Sequence, residues 1–519
     1  MEIQREIRNQ KTVDGWSRKL YMELPFPTDQ DYVSDQERIL RALDQELGQV
    51  TFSLEALQKL YPLCQEAGWK VTLLLVWNGS AWVLEDIEAG DCREQHYGLC
   101  ADLGSTTIAA ELVDMNTGRV LGTKSVFNRQ IPFGEDILTR IFYAKDNPER
   151  REEIRKATID SLLEVIYLLG KEQGIRPEDC ASLIIAGNTT MIHFLLGLDG
   201  FCVFSSPYAV HTLKPDCIRA KDMGLPVKGY VYCYPGLANY LGGDIISGLA
   251  YTELYKQEEL GVFLDIGTNG ELVVGNKDFL VAGAGAAGPA LEGGVVKTGM
   301  RAEKGAVDQV SIQQGKVQVH VIGEGKAQGI CGSGIVDLLA QMFLNGWMDM
   351  RGKLVQEASP QIAKVGEELG AEYAPGLFFW ESDVQEFLRT KAAAATMVEY
   401  MLQEVGLNLQ DIGKFYVAGA FGTHINKESG ITLGLYPDIP RENIILPGNT
   451  SLLGARKLLL LRQIKEELQQ VLEKMVYIQF GAVDNFLHLM EGARVIPHID
   501  YSRYPSVVEE LKKRGRWNV

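Results

Sequence analysis

A chain of 519 residues exceeds what one hydrophobic core organises, so several domains are expected. Its composition, 46% hydrophobic and 23% charged, is that of a folded globular protein, and a formal net charge of −17 argues against nucleic acid or an anionic membrane as the main partner. Met1-Glu2-Ile3-Gln4-Arg5 opens no apolar signal stretch, and the longest apolar runs, Val71 to Trp77 and Leu458 to Leu461, are too short to span a bilayer, so no membrane is expected and the cytoplasm is the default.

Residues 1 to about 16 read as polar and loose. Alternation of Leu20, Met22 and Leu24 predicts a strand over Arg18–Leu24, closed by Pro25 and Pro27. Helices follow over Ser34–Leu47 and Leu54–Ala67, then a hairpin over Val71–Leu84 turning at Asn78-Gly79. This makes a small N-terminal α/β domain, residues 1–96. A second domain, 97–257, opens with strands Gly98–Leu103, Ile108–Asp114 and Arg119–Val126. Helices at Asp136–Ala144 and Glu149–Gln173, a buried strand at Leu183–Ala186 and a helix N-capped by Asn188 follow. Asn239 to Asp244 then leads into a helix over Ile245–Tyr255. The third domain, 258–519, repeats the scheme with strands Gly261–Asp265, Gly270–Gly275 and Asp278–Ala282. A glycine-rich loop over 283–299 and a β-rich insert near Val310 and Val317–Ile322 come next. Gly329 to Gly334 then opens the helix Ile335–Leu344. Gln385–Val405 reads as a long helix, Lys414–Val417 as a buried strand, and Leu452–Leu461 as a helix N-capped by Ser451.

Two stretches are near copies. Asp102-Leu103-Gly104-Ser105-Thr106-Thr107 and Asp265-Ile266-Gly267-Thr268-Asn269-Gly270 each place an Asp at a strand end before a tight polar turn. Turn N–H groups and hydroxyls of this kind donate to phosphate oxygens, and the two Asp residues are placed to hold a hydrated Mg²⁺ against a polyphosphate. Their recurrence in both large domains points to a duplicated unit closing on one nucleotide. Val417-Ala418-Gly419-Ala420-Phe421-Gly422 ends a strand in small residues, which admits a planar base and ribose or is an ordinary strand-to-helix turn. Gly332-Ser333-Gly334 is a candidate second wall for the base. Asp244 is placed to orient an attacking water, to hold the metal through water, or to cap its helix.

Gly283-Ala284-Gly285-Ala286-Ala287-Gly288 matches a dinucleotide fingerprint in form, with Asp308 beyond it. Pro289 and Gly293-Gly294 prevent the helix such a fingerprint needs, so a phosphate-side or interdomain loop is expected there. No P-loop motif is present. The eight cysteines include no C-x-x-C pair and no ferredoxin spacing, so they read as isolated reduced thiols. Cys331, among glycines beside a helix start, is the exception in position. The seven histidines are scattered, and no zinc site is supported.

In this order the elements resemble the actin, sugar kinase and heat-shock ATPase superfamily. The resemblance implies an α/β fold of two duplicated ribonuclease-H-like (actin-like ATPase) domains with a small N-terminal α/β domain. Asp102–Thr107 and Asp265–Gly270 then match the two phosphate motifs, and Gly419–Gly422 the adenosine motif. Longer strings narrow it: Asn128-Arg129-Gln130 with Phe133-Gly134-Glu135-Asp136, Ala186 to Met191, Leu264 to Glu271, Gly329 to Gly334, Ala418 to Asn426, and Gly448 to Ala455. These are similar to the ATP-dependent reductive activators of corrinoid proteins.

That resemblance implies ATP and Mg²⁺ as cofactors. It also implies a corrinoid protein as partner and ATP-coupled reactivation of Co(II) to Co(I), and it leaves a homodimer open. Members commonly carry an N-terminal [2Fe-2S] domain, whereas residues 1 to 16 here contain no cysteine. No iron–sulfur cluster is therefore expected, and electrons are expected from a separate donor such as a ferredoxin or flavodoxin. A small-molecule kinase of the same superfamily and a non-catalytic nucleotide-dependent binding protein are the alternatives.

Overall fold

Both hairpins form, and each opens a six-stranded sheet in which five strands share one order and the sixth lies at opposite edges. The structure is a computed structural model and describes residues 14–43, 47–267, 269–286, 295–419, 424–480 and 486–517. Its contacts divide the chain into two units, Met1–Tyr251 with Ser451–Glu473, and Thr252–Thr450 with Lys474–Val519. Among the described residues no helix is long and apolar enough to cross a membrane.

The first unit begins with strands β1 (Ser17–Glu23), β2 (Val50–Phe52), β3 (Lys70–Trp77) and β4 (Trp82–Ala89), in the order β1-β3-β4-β2. Val71 to Val76 of β3 are buried on both faces, which is why that stretch is apolar but for Thr72, whose hydroxyl donates to the Gly90 carbonyl. One face joins Ile39, Leu60 and Trp82, while Leu74 and Val76 meet Ala181. Ser34 and Ser53 cap helices α1 (Asp35–Ala42) and α2 (Leu54–Glu66), their hydroxyls accepting from the N–H groups of Glu37 and Ala56. The first of these helices was expected to reach Leu47, but the backbone turns extended at Leu43.

The main sheet of this unit holds β5 (Tyr97–Leu103), β6 (Thr107–Asp114), β7 (Val120–Phe127), β8 (Cys180–Gly187), β9 (Ile218–Arg219) and β10 (Tyr230–Cys233), in the order β7-β6-β5-β8-β10-β9. β6 pairs antiparallel with β5 and with β7, and β8 and β10 add in parallel on the other side of β5. β8 is buried throughout, as the central strand of such a sheet must be. Helices α3 (Ile137–Ala144), α4 (Pro148–Gln173), α5 (Thr189–Leu195) and α6 (Gly243–Thr252) accompany it. Asn188 caps α5 as expected, accepting from the Met191 N–H at 2.9 Å.

The second unit contains β11 (Gly261–Ile266), β12 (Asn269–Gly275) and β13 (Leu280–Ala286), then two inserted three-stranded sheets. The inserts are β14 (Ala306–Gln313), β15 (Lys316–Val321) and β16 (Gly329–Ile330), followed by β17 (Ile362–Val365), β18 (Glu368–Ala374) and β19 (Leu377–Trp380). Strands β20 (Lys414–Ala418), β21 (Ile444–Gly448) and β22 (Val476–Gln479) complete the main sheet, ordered β21-β20-β11-β12-β13-β22. β11 to β13 are antiparallel while β20 and β21 run parallel to β11. Three antiparallel strands, then a fourth and fifth in parallel beside the first, is the order of β5 to β8 and β10 again; the sixth strands lie at opposite edges, β9 beside β10 and β22 beside β13. The fold is therefore α/β, with two duplicated ribonuclease-H-like domains and a small N-terminal α/β domain.

Gly283 and Gly285, expected in a phosphate-side or interdomain loop, instead lie in β13. Gly283 packs on Phe480 and Met401, and Gly285 on Met397. That strand runs on past Ala282 because small residues make room for these side chains. Residues 287–294 of the expected loop lie outside the described residues.

Helices α7 (Gly332–Asn345), α8 (Glu381–Glu404) and α9 (Lys427–Leu433) belong to this unit. They are followed by α10 (Thr450–Leu460) and α11 (Ile464–Lys474), and then by α12 (Phe486–Ala493) and α13 (Pro505–Lys513). Lys391 of α8 is fully buried, and its ammonium donates to the carbonyls of Ala493, Val495 and Pro497 at 2.7, 3.0 and 2.5 Å. Burial pulls its pKa down to about 7. Lys391→Met removes the donor but leaves the carbonyls dry, so a loss of about 2–4 kcal/mol is expected from urea denaturation.

Candidate functional site

In the first unit Asp102 stands one residue before the end of β5, paired with Ala109 of β6 and Ala186 of β8. Cross-strand neighbours share a face, so only methyl groups flank the carboxylate there. Gly104, Ser105 and Thr106 form the partly exposed tip, and Thr107 starts β6. The carboxylate is half-buried rather than fully exposed at the strand end. Ser451 donates its hydroxyl to Asp102 Oδ1 at 2.8 Å.

This corrects the expected role of Ser451. The helix begins at Thr450, two residues earlier than expected, so Ser451 lies inside α10 and its hydroxyl serves Asp102 instead of a cap. Two contacts fix that turn. Ser247 Oγ of α6 donates to the Ser451 carbonyl at 2.6 Å, and the Tyr234 hydroxyl donates to the Gly454 carbonyl at 2.7 Å. A side chain at position 454 has no room, since its Cβ would lie 1.9 Å from the Ser247 carbonyl oxygen.

Asp244 sits in the first turn of α6, and its Oδ1 accepts from the adjacent Ile245 N–H at 2.9 Å. A capping side chain takes the second or third N–H of a helix that follows it, so this is not a cap. Burial pushes the Asp244 carboxyl up to about 7, against the Ile245 N–H, and the charge of Asp102 adds to the rise.

A carboxyl whose folded pKa is raised binds its proton more tightly in the native state. The fold therefore loses stability as pH climbs from the ordinary aspartate value toward about 7. Without metal or nucleotide, Asp244→Asn should narrow the stability gap between pH 5 and pH 8 by about 1–3 kcal/mol, read from urea midpoints. An unchanged gap would place the titrating group elsewhere.

In the second unit Asp265 precedes the last residue of β11, between Glu271 of β12 and Ala418 of β20. The Gly267 N–H donates to the Asn269 carbonyl at 2.8 Å and closes the tip. Gly270 continues β12 opposite Ile266, and Thr268 lies outside the described residues. Gly419 has φ of +84°, and a Cβ there would lie 2.7 Å from Asp265 Oδ1. Only glycine takes that backbone at that distance. Gly419, expected at an adenosine wall, is thus placed against the acidic tip; Ala420, Phe421 and Gly422 lie outside the described residues.

Gly332, Ser333 and Gly334 form the buried first turn of α7 and pack on β14 and β16, with Gly334 against the Val307 carbonyl and Ile330. Cys331 precedes them, buried, and its thiol donates to the Val307 carbonyl at 3.3 Å. Its unusual position is explained by packing.

The structure therefore gathers Ser451 and Asp244 around Asp102, and Gly419 around Asp265. Like-charged Asp102 and Asp244 in one corner fit a divalent cation, which relieves their repulsion. Among the described residues no group of three or more His, Cys, Asp or Glu is arranged to hold a metal. Mg²⁺ is compatible with that sparseness, because it keeps several waters and takes only one or two carboxylates.

Three family profiles match in sequence: the RACo linker region over residues 8–94, the RACo middle region over 97–257, and the C-terminal domain of RACo, the ASKHA domain, over 259–508. A solved reductive activator for corrinoid, iron-sulfur protein is 36% identical, covering 96% of this chain and 81% of that one with a TM-score of 0.87. Corrinoid activation enzyme RamQ of Eubacterium limosum is 31% identical over 399 residues, 73% of this chain and 67% of RamQ. The Co(II) methylated amine-specific corrinoid protein reductase of Methanosarcina barkeri is 23% identical over 414 residues, 73% of this chain and 72% of the reductase.

Proposed function

The chain belongs to the RACo family of reductive activators of corrinoid proteins, and from that premise we propose that it is an ATP-dependent activator of a corrinoid methyl-transfer protein. The observation that carries this reading is the match to a reductive activator along 96% of the chain, together with an acidic hairpin tip in each duplicated domain.

In this reading Gly104, Ser105, Thr106 and Thr107 of the first tip, and Gly267, Thr268, Asn269 and Gly270 of the second, bind the phosphates of ATP. Asp102 and Asp265 hold Mg²⁺, which supplies neutralising charge to the polyphosphate. Gly332, Ser333 and Gly334, with Gly419, Ala420, Phe421 and Gly422, receive the adenosine. Ser451 orients the Asp102 carboxylate. Asp244, once ionised above about pH 7, orients the attacking water and accepts its proton.

ATP binding favours the conformation that docks the inactive Co(II) corrinoid protein, and hydrolysis to ADP and phosphate releases it. One electron, from a separate donor such as a ferredoxin or flavodoxin, takes Co(II) to Co(I). ATP shifts the partner only by its difference in affinity for the two states, so the coupling is reciprocal. A cognate Co(II) corrinoid protein should then tighten ATP binding by the factor by which ATP tightens its docking. Because hydrolysis is the step that releases the partner, ATPase turnover is expected to rise by about tenfold or more on its addition, with no rise when the metabolites that related kinases phosphorylate are added instead. Phosphate release assays check this. A rate indifferent to every corrinoid protein and stimulated by a small metabolite would favour the kinase alternative.

A further inference from the structure

Behind the first hairpin tip lies Arg140 of α3, fully buried. Its guanidinium donates to the carbonyls of Ser105 at 2.7 Å and Gly134 at 2.8 Å, to Gln130 Oε1 at 3.1 Å and to the Glu135 carbonyl at 3.5 Å. All of these acceptors are neutral. Asn128, also buried, works beside it. Its side-chain amide donates to the Gly104 carbonyl at 3.0 Å, and its backbone N–H donates to the Thr106 carbonyl at 2.9 Å. Gln130 Nε2 is in turn anchored on Thr158 Oγ1 of α4 at 2.5 Å.

Three consecutive carbonyls of the tip, at Gly104, Ser105 and Thr106, are thus drawn toward one support. In a trans peptide the C=O and N–H lie in one plane and point in opposite directions across the C–N bond. Holding the Gly104 and Ser105 carbonyls from behind therefore turns the N–H groups of Ser105 and Thr106 the other way, out from the support. A buried guanidinium is costly to desolvate; the Asp136 carboxylate at the start of its own helix offsets part of that cost, and a polyphosphate over the tip would add negative charge on the side of the tip.

We propose that Arg140 is a positioning residue for polyphosphate binding: with Asn128 it fixes two successive peptide planes of the first tip so that their N–H groups face the phosphates, and it places a buried positive charge beneath them. This rests on the nucleotide reading above.

The test separates phosphate binding from general folding. Equilibrium dialysis with ATP and with adenosine, in Mg²⁺, is run on the full chain and on Arg140→Met, Arg140→Lys and Asn128→Ala. Arg140→Met should weaken ATP by about 30-fold or more while adenosine affinity stays within about twofold. Arg140→Lys, which keeps the charge and loses the fork, should recover part of the loss. Asn128→Ala, which frees the Gly104 carbonyl and the Gln130 N–H but leaves the guanidinium in place, should show a smaller loss of the same kind, and it carries the test if Arg140→Met does not fold. Wild-type affinity for ATP in folded Arg140→Met or Asn128→Ala would overturn the proposal, as would parallel losses for ATP and adenosine. A wild-type chain that binds no ATP would instead bring down the nucleotide reading itself, and this proposal with it.

Discussion

Asp102→Ala is expected to weaken Mg²⁺-dependent ATP binding by about 100-fold or more, measured by titration with a fluorescent ATP analogue with and without EDTA. The carboxylate is flanked by alanines, accepts from Ser451, and raises the neighbouring Asp244 carboxyl, so its charge is the organising feature of that corner. Removing it deletes a metal anchor and relieves Asp244, whose pKa should fall. The variant should therefore shift any acidic limb of the residual ATPase profile below that of the wild type. Asp265→Ala should give a loss of similar size, because Gly419 leaves its carboxylate uncovered by any side chain at that position. Ser451→Ala, which removes one hydrogen bond and keeps the charge, should cost only about five- to tenfold. If Asp102→Ala kept wild-type Mg-ATP affinity, its assignment as a metal anchor would be wrong.

How much of this was legible in the sequence follows from the range of the interactions involved. The hairpin tips at Asp102 and Asp265 are local patterns, and their strands formed as the alternation and turn residues implied. The cap at Asn188 is equally local, depending on an N–H three residues on. The bond from Ser451 to Asp102 spans 349 positions, and no composition or spacing rule reaches that far. Ser451 also misleads at close range, because a serine before an apolar run looks like a cap. Gly283 and Gly285 misled for the opposite reason. A glycine-rich stretch resembles a loop, yet these glycines are set by the bulk of Phe480, Met397 and Met401 packing onto their strand. Arg140 gave no signal at all, since an arginine on an amphipathic helix reads as a solvated face until burial is known. The strands β17 to β19 escaped notice for want of strong alternation over such short spans.

Gly454→Val is expected to have the second large effect, and it tests whether α10 holds the acidic corner in place. A Cβ at 454 would lie 1.9 Å from the Ser247 carbonyl oxygen and 2.5 Å from Ser247 Oγ, the group that donates to the Ser451 carbonyl. Neither contact is with a flexible chain end. The backbone of α6 cannot yield without moving Asp244, three residues earlier on the same helix. Relief must come from displacing α10, which also strips the Tyr234 hydroxyl of the Gly454 carbonyl and draws Ser451 off Asp102. Overpacking of this kind costs about 1–3 kcal/mol, and the lost buried hydrogen bonds add roughly 1 kcal/mol each. A fall of about 3–5 kcal/mol in urea stability should result, with Mg-ATP affinity dropping beyond the Ser451→Ala value because Asp244 is disturbed as well. Gly454→Ala sets the scale, since it brings the same Cβ clash with less bulk. Full retention of stability and affinity in both variants would mean that α10 and α6 slide apart freely. The Ser451–Asp102 bond would then be incidental to the site.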